Sequence, residues 1–170
     1  MIDQLSIERI KTLHPIVRES ATKILTQSEN ILKDKAVLRI AYALRSFEEQ
    51  ASLYAIGRTI KVKEARVTNA KAGQSWHNYG LAFDIVFLIP DKDGKMKASW
   101  DMKTDFNNNK IFDWSEIVTL CKKEGWEWGG DWKSLKDYPH FEKTYNLSLS
   151  TALSRYKNKD FIAGTNFINI

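Results

Sequence analysis

Residues 75–89 read SWHNYGLAFDIVFLI. The second part of this stretch, LAFDIVFLI (81–89), has the β-branched and aromatic content of a central strand. Asp84 breaks the pattern by placing a carboxylate in the middle of a segment that has to be buried. An unpartnered buried carboxylate is costly enough to be excluded or neutralised, so the strand predicts a partner for Asp84. His77, seven residues upstream, is a candidate. Seven extended residues would hold the two roughly 23 Å apart, and a helix roughly 10 Å. The chain must therefore fold back between them. Asn78-Tyr79-Gly80 supplies the turn, because Asn and Gly tolerate positive φ.

Outward from this strand, residues 6–30 read as two helical pieces. Pro15 opens the second, and Val17, Ala21, Ile24 and Leu25 share one face. AVLRIAYA (36–43) reads as a strand. Ser46-Phe47-Glu48-Glu49 is a capping box that opens a helix over 47–57, stopped by Gly57. Arg45 then sits at a strand-to-helix junction, where a side chain can point at a ligand. Residues 61–76 read as a loop with at most a short strand, 89–95 as a hairpin turn around Asp93-Gly94, and 96–110 as a surface loop. Asp113-Trp114-Ser115-Glu116 resembles a capping box with Asp113 as N-cap. The helix it opens has Trp114, Ile117, Val118 and Cys121 on one face, and Gly125 stops it. Cys121 is thereby a core residue rather than a nucleophile. Short strands are expected at 126–128 and 139–142, and a last helix at 147–156. The predicted fold class is α+β, a small antiparallel or mixed central sheet flanked by helices. A single domain is expected over 1–170, with helices in 1–34 and a helix and tail in 147–170.

The 170 residues are 43% hydrophobic and 28% charged, which is ordinary for a soluble globular domain. Cys121 is the sole cysteine, so no intrachain disulfide can form. MIDQLSIERIKTLHP (1–15) lacks the apolar segment of a secretory signal. The expectation is synthesis in the cytoplasm, with any action outside requiring release or export. No apolar run is long enough for membrane insertion. The net charge of +5 suits a polyanionic partner such as a nucleic acid or an anionic cell wall. No Lys/Arg stripe with interleaved aromatics is present, which argues against nucleic acid. A monomer is expected.

There are three histidines. His14 precedes Pro15 at a helix start and reads as structural or simply exposed. His140 lies in DYPHFE (137–142), where Pro139 biases Tyr138 toward extended backbone. In the strand that follows, His140 and Glu142 point the same way, and Asp137 lies in a turn that can aim at the same space. Two imidazoles and one carboxylate, His77, His140 and Asp84, with one position open, form the donor set of a catalytic zinc site. A further acidic group nearby, not itself a ligand, is what such a site needs as a general base. Each residue alone has an ordinary alternative: a buried Asp bonded to backbone or paired with Arg, and a His satisfied in core or surface.

SWHNYGLAFD resembles the Ser-x-His-x-x-Gly-x-Ala-x-Asp motif of the zinc D-Ala-D-Ala carboxypeptidase and dipeptidase superfamily, and DYPH resembles its acidic-x-x-His motif. LRSFEEQASLYAIGRT (44–59), KAGQS (71–75) and GWEWGGDW (125–132) extend the resemblance over most of 35–145. It is strongest to the bacteriophage L-alanyl-D-glutamate peptidases, which are cell-wall endolysins. The resemblance implies His77, Asp84 and His140 as ligands of Zn2+, Asp137 as general base and Arg45 as oxyanion stabiliser. It offers Ser75 and Gln50 for the substrate peptide or for support of Arg45, and Trp126, Trp128 and Trp132 as cleft wall. Many relatives carry Glu where this chain has Asp137. The implied substrate is the stem peptide of bacterial peptidoglycan, cut between L-Ala and D-Glu. A D-Ala-D-Ala carboxypeptidase or dipeptidase is the alternative within the class, and a non-catalytic zinc-containing binding module the alternative outside it. The residues after 145 suffice for one helix and a tail, so no separate wall-binding module is expected. Asp91-Lys92-Asp93-Gly94 matches the start of a calcium loop but lacks the later oxygen ligands, and reads as a hairpin turn.

Overall fold

The computed structural model describes residues 2–170. Helices α1 (Gln4–Thr12) and α2 (Pro15–Leu32) precede strand β1 (Val37–Tyr42) and helix α3 (Phe47–Ala55). After a long irregular segment come β2 (Ala82–Pro90), β3 (Met96–Ser99) and α4 (Asp113–Lys123). The short strands β4 (Glu127–Trp128) and β5 (His140–Glu142) and helix α5 (Leu149–Lys157) complete the chain. The fold is α+β, and among the described residues every strand pairing in the sheet is antiparallel.

β2 is the hub. It pairs with β1 on one side, and with both β3 and β5 on the other, while β4 extends the sheet beyond β5. Alternation along β2 separates two faces. Phe83 stacks on Phe141 and packs on Trp126, and Phe87 meets Trp114 edge-on. Burying each of these side chains contributes about 1.5–3 kcal/mol. Val17, Ala21, Ile24 and Leu25 of α2, and Ile117 and Cys121 of α4, complete this layer, all buried as the sequence predicts. Asp84 points to the opposite face. The cluster around Phe83 and Phe87 therefore anchors the strand that presents it.

Two joints set up the polar face. Gly80 has φ 68°, and a Cβ there would lie 2.6 Å from the His14 backbone nitrogen, so only glycine fits this turn. The 3-10 turn Trp76–Tyr79 before it folds His77 back toward β2. In β1 the register slips between Ile40 and Tyr42, a bulge opposite Ile85 and Asp84 that redirects the chain beside the polar face.

Two local expectations need correction. Met96–Ser99 is a strand paired with β2, not loop. Its pattern is exposed and unalternating, so only the pairing, made possible by the turn at Gly94, defines it. Asp113 is the first residue of α4 and not its N-cap, which is Phe112. Its carboxylate instead receives the Phe106 N–H and the Asn107 amide. Residues 61–75 are a loop, as expected, and carry no strand. His14 is buried and structural. Its Nδ1 accepts the Ile16 N–H that opens α2, and its Nε2 lies 2.8 Å from the Ile168 carbonyl, which ties down the C-terminal segment. No helix among the described residues is long and apolar enough to cross a membrane.

Candidate metal centre

β2 and β5 run antiparallel with Asp84 directly opposite His140. That register places the His140 Nδ1 3.1 Å from Asp84 Oδ1. The turn at Gly80 brings His77 Nε2 to 3.3 Å from the same oxygen and 3.2 Å from His140 Nδ1. Both imidazoles are buried. The sequence-predicted trio thus converges from three segments.

The outer edge of each ring decides what the inner edge can be. His77 Nδ1 lies 2.7 Å from the Ala43 carbonyl, which can only accept, so this nitrogen carries the proton. His140 Nε2 lies 2.9 Å from Glu142 Oε2, and the same reasoning applies. In the neutral tautomers this leaves two nitrogen lone pairs and one carboxylate oxygen facing each other. Three acceptors at 3.1–3.3 Å repel unless a cation or a proton lies among them. Imidazole and carboxylate donors with outer hydrogen bonds that orient the rings are the donor set of a zinc site, and the residues fit the metal.

The same geometry sets the charge states without a metal. Burial disfavours the charged form of His140, but its hydrogen bonds to Asp84 and Glu142 and their charges outweigh this and hold its pKa at about 9. Burial likewise opposes the Asp84 charge, yet the bonds from His140 and His77 hold its carboxyl well below the usual range.

The trio lies in a cleft of about 1020 Å³ that Arg45, Ser75, Trp132 and Asp137 also line. Asp137 is accessible at its mouth. Partial burial by the walls and the nearby Asp84 charge push its carboxyl up, while His140, His77 and Arg45 offset part of the shift. Gly129 lets this acid approach. Its carbonyl accepts the Asp137 N–H at 3.2 Å, and a Cβ on Gly129 would collide with the Asp137 carbonyl. Arg45 is held through its backbone N–H to the His77 carbonyl at 3.0 Å and through its guanidinium to Gln50 Oε1 at 3.0 Å. Asn78, inside the first motif, accepts from Gly73 N–H and donates to the Arg45 carbonyl, fixing the same junction.

Of the residues expected at the substrate, Ser75 lines the cleft. Gln50 does not: it is fully buried, with its oxygen on Arg45 and its nitrogen on the Ala70 carbonyl at 2.8 Å. Of its two expected roles, the geometry leaves the support of Arg45. Trp128 also lies off the cleft, its Nε1 bonded to the Tyr138 carbonyl at 2.7 Å, and Trp126 is in the core. Trp132 is the wall residue, its ring 5.2 Å from that of His140. Sequence reasoning gave Glu142 no role, although the His-x-Glu spacing in a strand was the available signal. The Ala43 carbonyl left no signal, since any residue supplies one.

The sequence pattern of the family described as "D-alanyl-D-alanine carboxypeptidase" matches residues 68–143. The chain is 46% identical over 134 residues to the peptidoglycan L-alanyl-D-glutamate endopeptidase CwlK of Bacillus subtilis (strain 168), covering 79% of this chain and 75% of that protein. It is 32% identical over 95 residues to the L-alanyl-D-glutamate peptidase of Listeria phage A118, covering 53% of this chain and 30% of the phage protein. Among solved structures, the Serratia marcescens L-Ala D-Glu endopeptidase ChiX is similar with a TM-score of 0.54 at 24% identity, over 84% of this chain and 88% of that one. This last likeness concerns the fold.

Proposed function

This chain belongs to the D-alanyl-D-alanine carboxypeptidase family of metallopeptidases, and from that membership we propose that it is a zinc peptidase that cuts the L-Ala-D-Glu bond of the peptidoglycan stem peptide. The observation that carries the chemistry is the convergence of His77 Nε2, His140 Nδ1 and Asp84 Oδ1 in the cleft that Asp137 and Arg45 also line. The choice of bond rests on the likeness to CwlK.

His77, Asp84 and His140 would hold the zinc. When bound, it supplies Lewis acidity, polarising a carbonyl and making water a nucleophile near neutral pH. Asp137 takes a proton from the attacking water, and its raised pKa suits a base that must pass that proton on. Water adds to the L-Ala carbonyl carbon, the C–N bond breaks, and Asp137 delivers the proton to the departing D-Glu amine. Arg45, pre-set by Gln50, offers its remaining N–H groups to the oxyanion. Ser75 and Trp132 lie where the peptide would run. All of these groups come from one chain, which suits a monomer working on the wall.

Digestion of purified peptidoglycan with mass spectrometry of the products tests the assignment. Free L-Ala carboxyl ends and new D-Glu amino ends are expected. Release of terminal D-Ala alone would instead assign the D-Ala-D-Ala carboxypeptidase activity.

A further inference from the structure

Residues 66–70, RVTNA, line the cleft as one unbroken run, although no helix or strand holds them. Three contacts fix them instead. Gly57, just past α3, has φ 69°, and a Cβ there would lie 3.0 Å from the Arg66 backbone nitrogen, so the two backbones pack closely. Arg58 donates to the Thr68 carbonyl and to Asn69 Oδ1, both at 3.0 Å. Gln50, whose oxygen holds Arg45, donates through its nitrogen to the Ala70 carbonyl at 2.8 Å. This part of the wall is therefore held in place relative to Arg45.

The anchored run leaves one charged group open. The Arg66 side chain is exposed, and among the described residues it has neither a hydrogen bond nor an ion pair. The backbone N–H and C=O of Val67 are also without a protein partner. Two arginines and no lysine line the cleft among the described residues. Arg45 is the one tied to Gln50, which leaves Arg66 as the uncommitted cation. The acids of the cleft, Asp84, Asp137 and Glu142, belong to the metal centre. A carboxylate on the substrate is repelled there and attracted to Arg66. The guanidinium fork matches a carboxylate with two parallel hydrogen bonds.

The stem peptide has carboxylates on one side of the scissile bond only. D-Glu is joined onward through its side-chain carboxyl and keeps a free carboxylate on Cα, and the peptide ends in the carboxylate of D-Ala. The L-Ala half carries none. Four residues of extended chain, roughly 13 Å, separate Arg66 from Ala70, the residue linked to Arg45 through Gln50. That spacing suits a carboxylate carried along the departing half rather than the carbonyl under attack.

We propose that Arg66 is a specificity residue that takes a carboxylate of the D-Glu half of the stem peptide and lays that half along residues 66–70. The open main-chain groups of Val67 are then available to a peptide amide of the substrate, as an exposed strand edge is. The proposal rests on the peptidase reading above. It gives the substrate a direction in the cleft, with L-Ala on the far side of the metal centre from Arg66.

Kinetics and calorimetric binding of the whole zinc-loaded protein with the synthetic peptide L-Ala-D-Glu-L-Lys-D-Ala, linked through the D-Glu side chain, test this. Arg66→Gln should raise KM and Kd about tenfold and leave kcat within about twofold, with circular dichroism unchanged. Arg66→Lys should recover part of the loss, because it keeps the charge without the fork. Two further peptides carry an amide in place of the D-Glu carboxylate or of the D-Ala carboxylate. One of them should bind the parent about tenfold more weakly and be bound equally by parent and Arg66→Gln, which identifies the carboxylate read. Unchanged KM and Kd in Arg66→Gln, or the same loss for a peptide with both carboxylates amidated, would overturn the proposal. Cleavage between L-Ala and D-Glu with an indifferent Arg66 would sink this inference alone. Arg66-dependent binding without that cleavage would instead sink the peptidase reading and keep the carboxylate site.

Discussion

The two polar clusters of this protein are built in opposite ways. The His77–Asp84–His140 centre draws its atoms from a turn and two strands, and the two imidazoles lie 63 residues apart in sequence. It exists only because β2 and β5 pair with Asp84 opposite His140. The 105–116 loop gathers its oxygens within twelve consecutive residues and needs no sheet register. A slip of one residue in β2 would turn Asp84 into the aromatic core and abolish the first cluster while leaving the second intact. Nitrogen and carboxylate donors locked by outer hydrogen bonds suit catalysis, whereas the amide–carboxylate bonds of the loop brace the start of α4.

The largest effect should come from breaking the long-range cluster itself. Asp84→Leu suits the apolar strand and should keep the fold by circular dichroism, yet metal analysis should find no zinc and no wall hydrolysis. Retained zinc with activity would break the contrast at its root. Asp137→Asn separates holding the metal from using it. Zinc content should stay at one per chain while kcat falls about 10²–10⁴-fold. Arg45→Gln should cost about 10²–10³-fold in kcat, again with zinc retained. Glu142→Gln removes the carboxylate that orients His140, and competition with a chelator should show zinc affinity about 10–100-fold lower.

The smallest effect is a pH dependence. Without metal the His140 pKa lies at about 9, above the ordinary imidazole value of 6.5. The stabilisation from this raised value is present below about 6.5 and is lost as pH rises to about 9. Zinc must displace that proton, so its apparent affinity should climb across the same window, by about tenfold per unit at most, and then level off. A flat profile in direct titrations between these limits would show that no proton is released.

The strand LAFDIVFLI, the helix faces of α2 and α4 and the capping box at Ser46 were legible because each is a local pattern of apolar spacing or cap chemistry. The trio was legible because one carboxylate contradicted an otherwise apolar strand. β3 was not, because Met96–Ser99 carries no alternation and is a strand only through its partner. Trp128 and Trp132, four residues apart, could not be assigned to core or cleft without the turn at Gly129–Asp131 between them. Asp113 misled because a one-residue offset makes the same acid a helix cap or a loop brace.

Anomalous diffraction at the zinc edge, from crystals grown with zinc present, tests the central claim most directly. The expected result is one strong zinc peak within bonding distance of His77 Nε2, His140 Nδ1 and Asp84 Oδ1, and none in the 105–116 loop. Zinc bound elsewhere, or no zinc among these three side chains, would contradict it.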